Sequence, residues 1–278
     1  MPGVEEVEVR PLEKAEEFSQ AMEVQKTAWG MPDIEVIPSR ILIAIARNGG
    51  LVLGAFARGR LVGYSFGFLA RDSQGLYLYS HHTGVIPEYE DKGVGFALKA
   101  KQREYALRMG LSRVKWTFDP LQSRNSYFNL VKLGAVVREY HVNYYGELTD
   151  QLNRGLPSDR VVAEWYLESP RVVNRLGGRR PAAPGGAVPV IRVRGSEPVF
   201  EPAESTSVLV LVPLDIGGVK SRDPELALKW RLETRKAFQY YFSKGYIDHH
   251  YVRLDENYGA HVLSKVSLEE VLLDALPG

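Results

Sequence analysis

The 278-residue sequence contains no cysteine. That excludes disulfides, thiolate metal ligands and cysteine nucleophiles, and it fits a reducing compartment. Neither charge is in excess: 35 Lys and Arg stand against 34 Asp and Glu, so the basic footprint of a nucleic-acid binder is missing. No apolar run approaches the length of a membrane span, and the first residues lack a signal-peptide pattern. These absences predict a cytoplasmic protein with no nucleic-acid or membrane partner. There is no G-x-S-x-G nucleophile motif and no repeat of fixed period. His249, His250 and His261 are not accompanied by an acid-rich helical pattern, and no metal is expected.

What is present reads as a mixed α/β chain, long enough for one large domain or two small ones. Val4–Arg10 alternates as a strand. Helices follow over Leu12–Trp29 and Pro38–Arg47, the second with Pro38 near its first turn. Leu51–Ala57, Arg60–Ala70 and Leu76–Val85 are strands joined by short turns, which makes an antiparallel meander. After a helix ending at Gly110, Arg113–Phe118 is a strand that should run parallel to Leu76–Val85, because a helix separates the two. A short helix over Asn125–Leu133 and strands over Ala135–Leu148 and Val161–Leu167 complete the series.

Ser169–Val188 is rich in Gly, Pro and Arg and reads as a linker. The expected division is therefore a first domain over 1–168, a linker over 169–188 and a small α/β domain over 189–278. The last holds strands at Pro189–Val193, Ser207–Val212 and Tyr246–Leu254. Its main helix, Asp223–Phe242, begins with an Asp N-cap followed by Pro. Arg231 and Arg235, four apart on that helix, suit an anion site or a solvated basic face.

The stretch that organises the chain is Leu76–Gly110, a strand, a tight turn at Pro87 and a helix headed by Gly93 and Gly95. A helix N-terminus presents unpaired N–H groups and a partial positive charge, and glycines let a large anion approach. The expected ligand is a phosphate or pyrophosphate, although two glycines also serve a tight strand-to-helix turn. No Lys-Ser/Thr pair follows, so this is not a P-loop. Leu98 stands where the dinucleotide fingerprint has its third glycine.

This order of elements, with Glu90-Asp91-Lys92-Gly93-Val94-Gly95 at the head of the third helix, resembles the GNAT superfamily of acyl-CoA-dependent N-acyltransferases over roughly Val4–Leu167. The family pattern is Q/R-x-x-G-x-G/A, from which Glu90 departs. A second landmark, SRNSYFNLVKLGAVV over Ser123–Val137, is similar to the family's N-x-x-A-x-x-x-Y-x-K-x-G-F. More narrowly, the run from Phe118 and the segment from Asn143 resemble a group of GNAT-like acetyltransferases with an added C-terminal domain and no assigned acceptor.

The resemblance implies a mixed, mostly antiparallel twisted sheet with flanking helices and a smaller C-terminal α/β unit. It implies acetyl-CoA as co-substrate and an amine acceptor, a small molecule or amino-acid-like, attacking directly in a ternary complex. The same architecture also suits a non-catalytic sensor that holds coenzyme A. Backbone groups of Asp91, Lys92, Gly93, Val94 and Gly95 would cradle the pyrophosphate. Those near Gly84, Val85 and Ile86 would bind pantetheine and polarise the thioester carbonyl. Asn125 and Asn129 would bond the pantetheine or adenine side, and Asn125 also suits a helix N-cap.

The family's general acid, a tyrosine, falls on Leu130, and Tyr127 is the substitute one helical turn away. A base is wanted to keep the amine neutral, and His81 or His82 on the preceding strand suits it, although either alone more readily suits a strand residue with no catalytic role. Strand alternation would send the two rings to opposite faces. Glu35, between the first two helices, suits an acceptor contact but suits a solvated loop charge better. The C-terminal unit would cover the acceptor side or form a homodimer contact.

Overall fold

The β2–β4 meander carries the structure, a computed structural model that describes residues 7–146, 155–181 and 185–275. The described residues form two compact units, one running to Trp116 and the other beginning at Thr117.

In the first unit, β1 (Glu8–Pro11) leads to helices α1 (Ala15–Trp29) and α2 (Ser39–Arg47). Then come β2 (Leu51–Ala57), β3 (Arg60–Asp72) and β4 (Gly75–Val85). One short turn of helix at Pro87–Tyr89 leads into α3 (Val94–Arg108), and β5 (Arg113–Phe118) begins in this unit. The strand order is β1-β2-β3-β4-β5, antiparallel except for the β4–β5 pair. Val52, Leu53, Ala55, Val62, Leu78, Leu98 and Val114 are fully or almost fully buried and form the core between sheet and helices. Burial of these β-branched and aliphatic side chains, at roughly 25 cal/mol per Å² of apolar surface, drives the packing.

In the second unit, a helix α4 starts at Ser123–Ser126 and widens through Tyr127–Lys132, where Ala135 N–H reaches back to the Asn129 carbonyl. It precedes β6 (Val136–His141), β7 (Arg160–Tyr166) and α5 (Pro170–Leu176). Next come β8 (Val188–Pro189), β9 (Ile191–Arg194), β10 (Glu197–Phe200) and β11 (Ser207–Pro213). The unit ends with α6 (Ile216–Arg222), α7 (Pro224–Ser243), β12 (Ile247–Arg253), β13 (Tyr258–Ser264) and α8 (Leu268–Leu272). The strand order here is β7-β6-β12-β13-β11-β8, with β9 and β10 as a separate pair. Both units are mixed α/β with mostly antiparallel sheets, as the resemblance implies. Among the described residues no helix is long and apolar enough to cross a membrane.

Several sequence expectations need correction. The compact units divide at Trp116/Thr117, a division distinct from the expected domain boundaries of 168 and 189. The expected linker Ser169–Val188 contains α5, capped by the Ser169 hydroxyl, with Arg171, Val172 and Arg175 buried. Arg171 Nε donates to the Gly134 carbonyl at 2.9 Å, and Arg175 pairs with Asp274. Polar side chains thus do the anchoring that apolar ones were expected to do, which is why composition read as a linker. The strand after Gly134 ends at His141 rather than Leu148, because Asn143 takes a positive φ in the following turn. β10, β13 and α6 were not anticipated.

Arg231 and Arg235 form no solvated face. Arg231 is buried against Asp119 at 2.5 Å, and Arg235 holds Asp159 at 2.8 and 3.0 Å. His261 is fully buried between Asp248, 2.7 Å from Nδ1, and the Pro120 carbonyl, 2.9 Å from Nε2.

Candidate functional site

The first unit brings together the loop before α3, the end of β4 and the two histidines. Asp91 and Gly93 both have positive φ, 58° and 83°, so the chain turns sharply from the Pro87 turn into the helix. Gly93 is the N-cap of α3 and is exposed; a Cβ built on it would meet nothing within 4 Å. A glycine cap has no side chain with which to satisfy the first-turn amides, so that duty is open to an anion. Lys92 is also exposed, with Nζ 4.7 Å above the Tyr89 ring, and adds positive charge to the loop. These features fit a diphosphate held by main-chain N–H groups.

β4 pairs with β5 only at Leu78↔Val114 and Tyr79↔Lys115. From Ser80 to Val85 the β4 edge has no pair on that side among the described residues, while its other edge stays paired with β3 except at His81. The two parallel strands therefore part at Ser80. Gly84 and Ile86 are buried, and Ile86 N–H is already spent on the Val62 carbonyl at 3.0 Å. Gly84 is glycine for a visible reason: a Cβ there would lie 2.6 Å from the Trp29 ring at the end of α1.

His81 and His82 do not point to opposite faces. The β3–β4 register shifts between Phe66 and Gly67, so Phe66 faces His82 while Gly67 faces Ser80. His81 is the extra residue of this β-bulge, which breaks strict alternation. The two rings stack, centroids 4.5 Å apart and 20° between planes. Trp29 lies 4.8 Å from His82 on the other side. The Tyr64 hydroxyl is 2.7 Å from His82 Nδ1. Burial, with the neighbouring His81, pushes the His82 pKa down to about 3, and burial lowers that of His81 as well. Both rings are neutral near pH 7. Burial raises Tyr64 well above the ordinary phenol value, so it keeps its proton.

Beneath this bulge α3 sends two side chains to the sheet. Lys99 Nζ donates to Ser80 Oγ at 3.2 Å and to Gln102 Oε1 at 2.7 Å. Gln102 Nε2 donates to Ser80 Oγ and Ser65 Oγ at 3.0 and 3.1 Å, and Ser65 bonds Thr83 at 2.9 Å. The bulge is thus clamped to the helix whose start forms the anion cradle.

The other expected site residues belong to the second unit. Tyr127 is exposed, with Lys132 Nζ 5.9 Å from its ring centroid. Asn125 is exposed inside α4 and does not cap it, since the N-cap position is Gln122. Asn129 is buried, and Leu130, at the family's tyrosine position, is fully buried. Trp29 and Tyr64 were missed from sequence. Tyr64 pairs with Gly84 across the hairpin, but the bulge that turns His82 toward it leaves no mark in residue type.

Residues 13–128 match the family model described as Acetyltransferase (GNAT) family. Among curated proteins no match was found. Among solved structures, the ribosomal-protein-S18-alanine N-acetyltransferase from Escherichia coli is 15% identical, over 58% of this chain and 94% of its own, with a TM-score of 0.48. The acetyltransferase of GNAT family from Streptococcus pneumoniae is 15% identical, over 57% and 98%, with a TM-score of 0.47. Arabidopsis thaliana Naa50, in complex with the bisubstrate analogue CoA-Ac-MVNAL, is 15% identical, over 57% and 97%, with a TM-score of 0.46. Over residues 13–128, where the family model matches, the chain carries a domain of the GNAT acetyltransferase family.

Proposed function

We propose that the protein moves an acetyl group from acetyl-CoA to a primary amine on a small or amino-acid-like acceptor. The observation that carries this reading is the Gly93-capped start of α3 placed after a strand that leaves its parallel neighbour at Ser80. Acetyl-CoA would supply an acyl group activated as a thioester. The amides at the start of α3 hold the diphosphate, and the β4 edge beyond Ser80 offers main-chain groups to pantetheine.

Of the two histidines, His81 is the better base. Tyr64 keeps its proton and donates it to His82 Nδ1, which leaves His82 with a hydrogen on Nε2 and no acceptor to offer. His81 is neutral and half-buried, and the ring stacked beside it is already committed. It takes the proton that the amine must lose. His82 and Tyr64 position it.

The leading reading is tested by isothermal titration with acetyl-CoA and by thiol release with an amine panel. Binding plus release supports it. Binding with no release for any amine supports the second reading, a non-catalytic coenzyme A-binding protein. Two residues favour that second reading: the buried Leu130 at the general-acid position, and Glu90, a carboxylate beside the phosphate cradle.

A further inference from the structure

The β3–β4 hairpin extends well past the bulge, and one of its faces is lined with rings. Phe66 lies 5.3 Å from His81, Phe68 lies 6.4 Å from His81 and 5.3 Å from Tyr79, and Tyr79 lies 6.1 Å from His81. Phe68 pairs directly with Tyr79 across the ladder, so the two share a face. With the stacked His81 and His82 they form one continuous aromatic surface. It starts where β4 and β5 are still paired, at Tyr79, and reaches Trp29 over Gly84.

This surface is reachable. Phe68 is 38% exposed, Tyr79 and His81 are half-buried, and Phe66 is buried and only supports them. The hairpin itself carries little acid. Between Leu61 and Val85 the sole carboxylate is Asp72, at the hairpin tip, where Arg113 bonds both its oxygens at 2.8 and 3.0 Å and Lys115 pairs with it at 2.7 Å. A polycationic acceptor needs several carboxylates to replace its water. A flat apolar group needs ring faces, which are what this surface supplies.

We propose that the acceptor is a monoamine carried on an aromatic ring system, stacked on Phe68 and Tyr79 with its amino group toward His81. This rests on the acetyl-transfer reading and names the acceptor class within it. Stacking on Phe68 and Tyr79 sets affinity, and the short chain between ring and amine sets the reach to His81.

The test has two arms. In the first, phenethylamine or tryptamine is titrated into the full-length protein without acetyl-CoA, and the imidazole C–H resonances are followed by NMR. Upfield ring-current shifts of His81, absent with n-hexylamine and with spermidine, support the proposal. Absence of such shifts, or equal shifts with the aliphatic amines, overturns it. In the second arm, thiol release from acetyl-CoA is measured for aromatic amines, n-hexylamine, spermidine and an aminoglycoside. The aromatic amines should lead by at least tenfold in kcat/KM. Phe68→Ala should raise their KM about tenfold at unchanged kcat and unchanged acetyl-CoA affinity, while Phe68→Tyr restores it. A preference for the polycations, or a Phe68→Ala effect confined to acetyl-CoA binding, overturns the proposal while leaving acetyl transfer standing. His81 shifts with no acetyl-CoA binding leave the aromatic site standing and remove the transferase reading.

Discussion

Tyr64 Oη and His82 Nδ1 are 2.7 Å apart, on facing strands of one hairpin. A buried phenol must find an acceptor, and a neutral imidazole has one acceptor nitrogen. The bond therefore fixes the His82 tautomer and removes it from proton transfer.

The consequence for activity is asymmetric. His81→Gln should lower kcat by about 100-fold and abolish the acidic limb of the pH–rate profile. Because burial lowers the His81 pKa, that limb falls below the ordinary histidine range, and activity is lost as pH drops through it. His82→Gln should keep the limb and lower kcat less. A pH–rate series on the three proteins checks both. Equal profiles in all three would remove His81 as the base.

The same rings make the fold acid-sensitive. His82 titrates at about 3 in the folded protein, against an ordinary value of 6.5. The unfolded chain therefore binds a proton that the folded chain refuses. Stability is full above the ordinary value and is lost as pH falls from there toward 3. His82 as a residue is half-buried rather than fully buried, so the loss is about 2 kcal/mol rather than the full linkage of the shift. Urea melts of the wild type and His82→Gln between pH 4 and 8 should converge toward the acid end.

Much of the first unit was legible in sequence. Short turns at Arg58-Gly59 and Asp72–Gly75 gave the meander, and Gly93 at a strand-to-helix turn gave the cradle, because special backbone angles require particular residues. The relative facing of His81 and His82 was not legible. A bulge is set by how two strands register over a core, and no residue type signals it. In the second unit, α5 looked like a linker because its anchors are arginines bonded to main-chain carbonyls and Asp274. Buried arginine is rare enough that composition argues against it.

Gly84 tests the packing of Trp29. An alanine methyl there would sit 2.6 Å from the Trp29 ring, well inside contact distance. Gly84→Ala should cost about 1–3 kcal/mol and displace the indole from His82. Trp29→Leu should cost stability alone but make Gly84→Ala nearly harmless. A double-mutant cycle by chemical denaturation reads the coupling, and additivity would mean the ring moves aside freely.

Gly93 separates strain from ligand binding. Its φ of 83° is unfavourable for any residue with a Cβ, but the space around it is open. Gly93→Ala should therefore cost about 1 kcal/mol of stability through backbone strain. Gly93→Glu adds a carboxylate at the cradle and should weaken acetyl-CoA binding far more than it weakens the fold. Titration calorimetry beside thermal melts distinguishes the two effects. Equal acetyl-CoA affinity in Gly93→Glu and Gly93→Ala would place the diphosphate elsewhere.

Lys99 tests the clamp under the bulge. Its ammonium site lies inside the first unit, bonded to Ser80 and Gln102 and 3.7 Å from the centre of the Trp116 ring. Burial drives its pKa well below the ordinary lysine value, and the Trp116 face offsets only part of that. The unfolded chain therefore carries a proton that the folded chain gives up. Stability accordingly rises with pH from the lowered folded value to the ordinary lysine value. Lys99→Met should flatten that rise and leave the protein at pH 7 as stable as the wild type, or more stable by about 1–2 kcal/mol, since a packed apolar side chain removes the desolvation cost. Ser80 keeps its bond from Gln102, so the sheet survives, but the bulge loses one of its two ties to α3. kcat should then fall with KM for acetyl-CoA unchanged. Thermal melts from pH 6 to 10 alongside steady-state rates read both effects. A Lys99→Met protein that is several kcal/mol less stable at every pH would mean that the lysine is held charged.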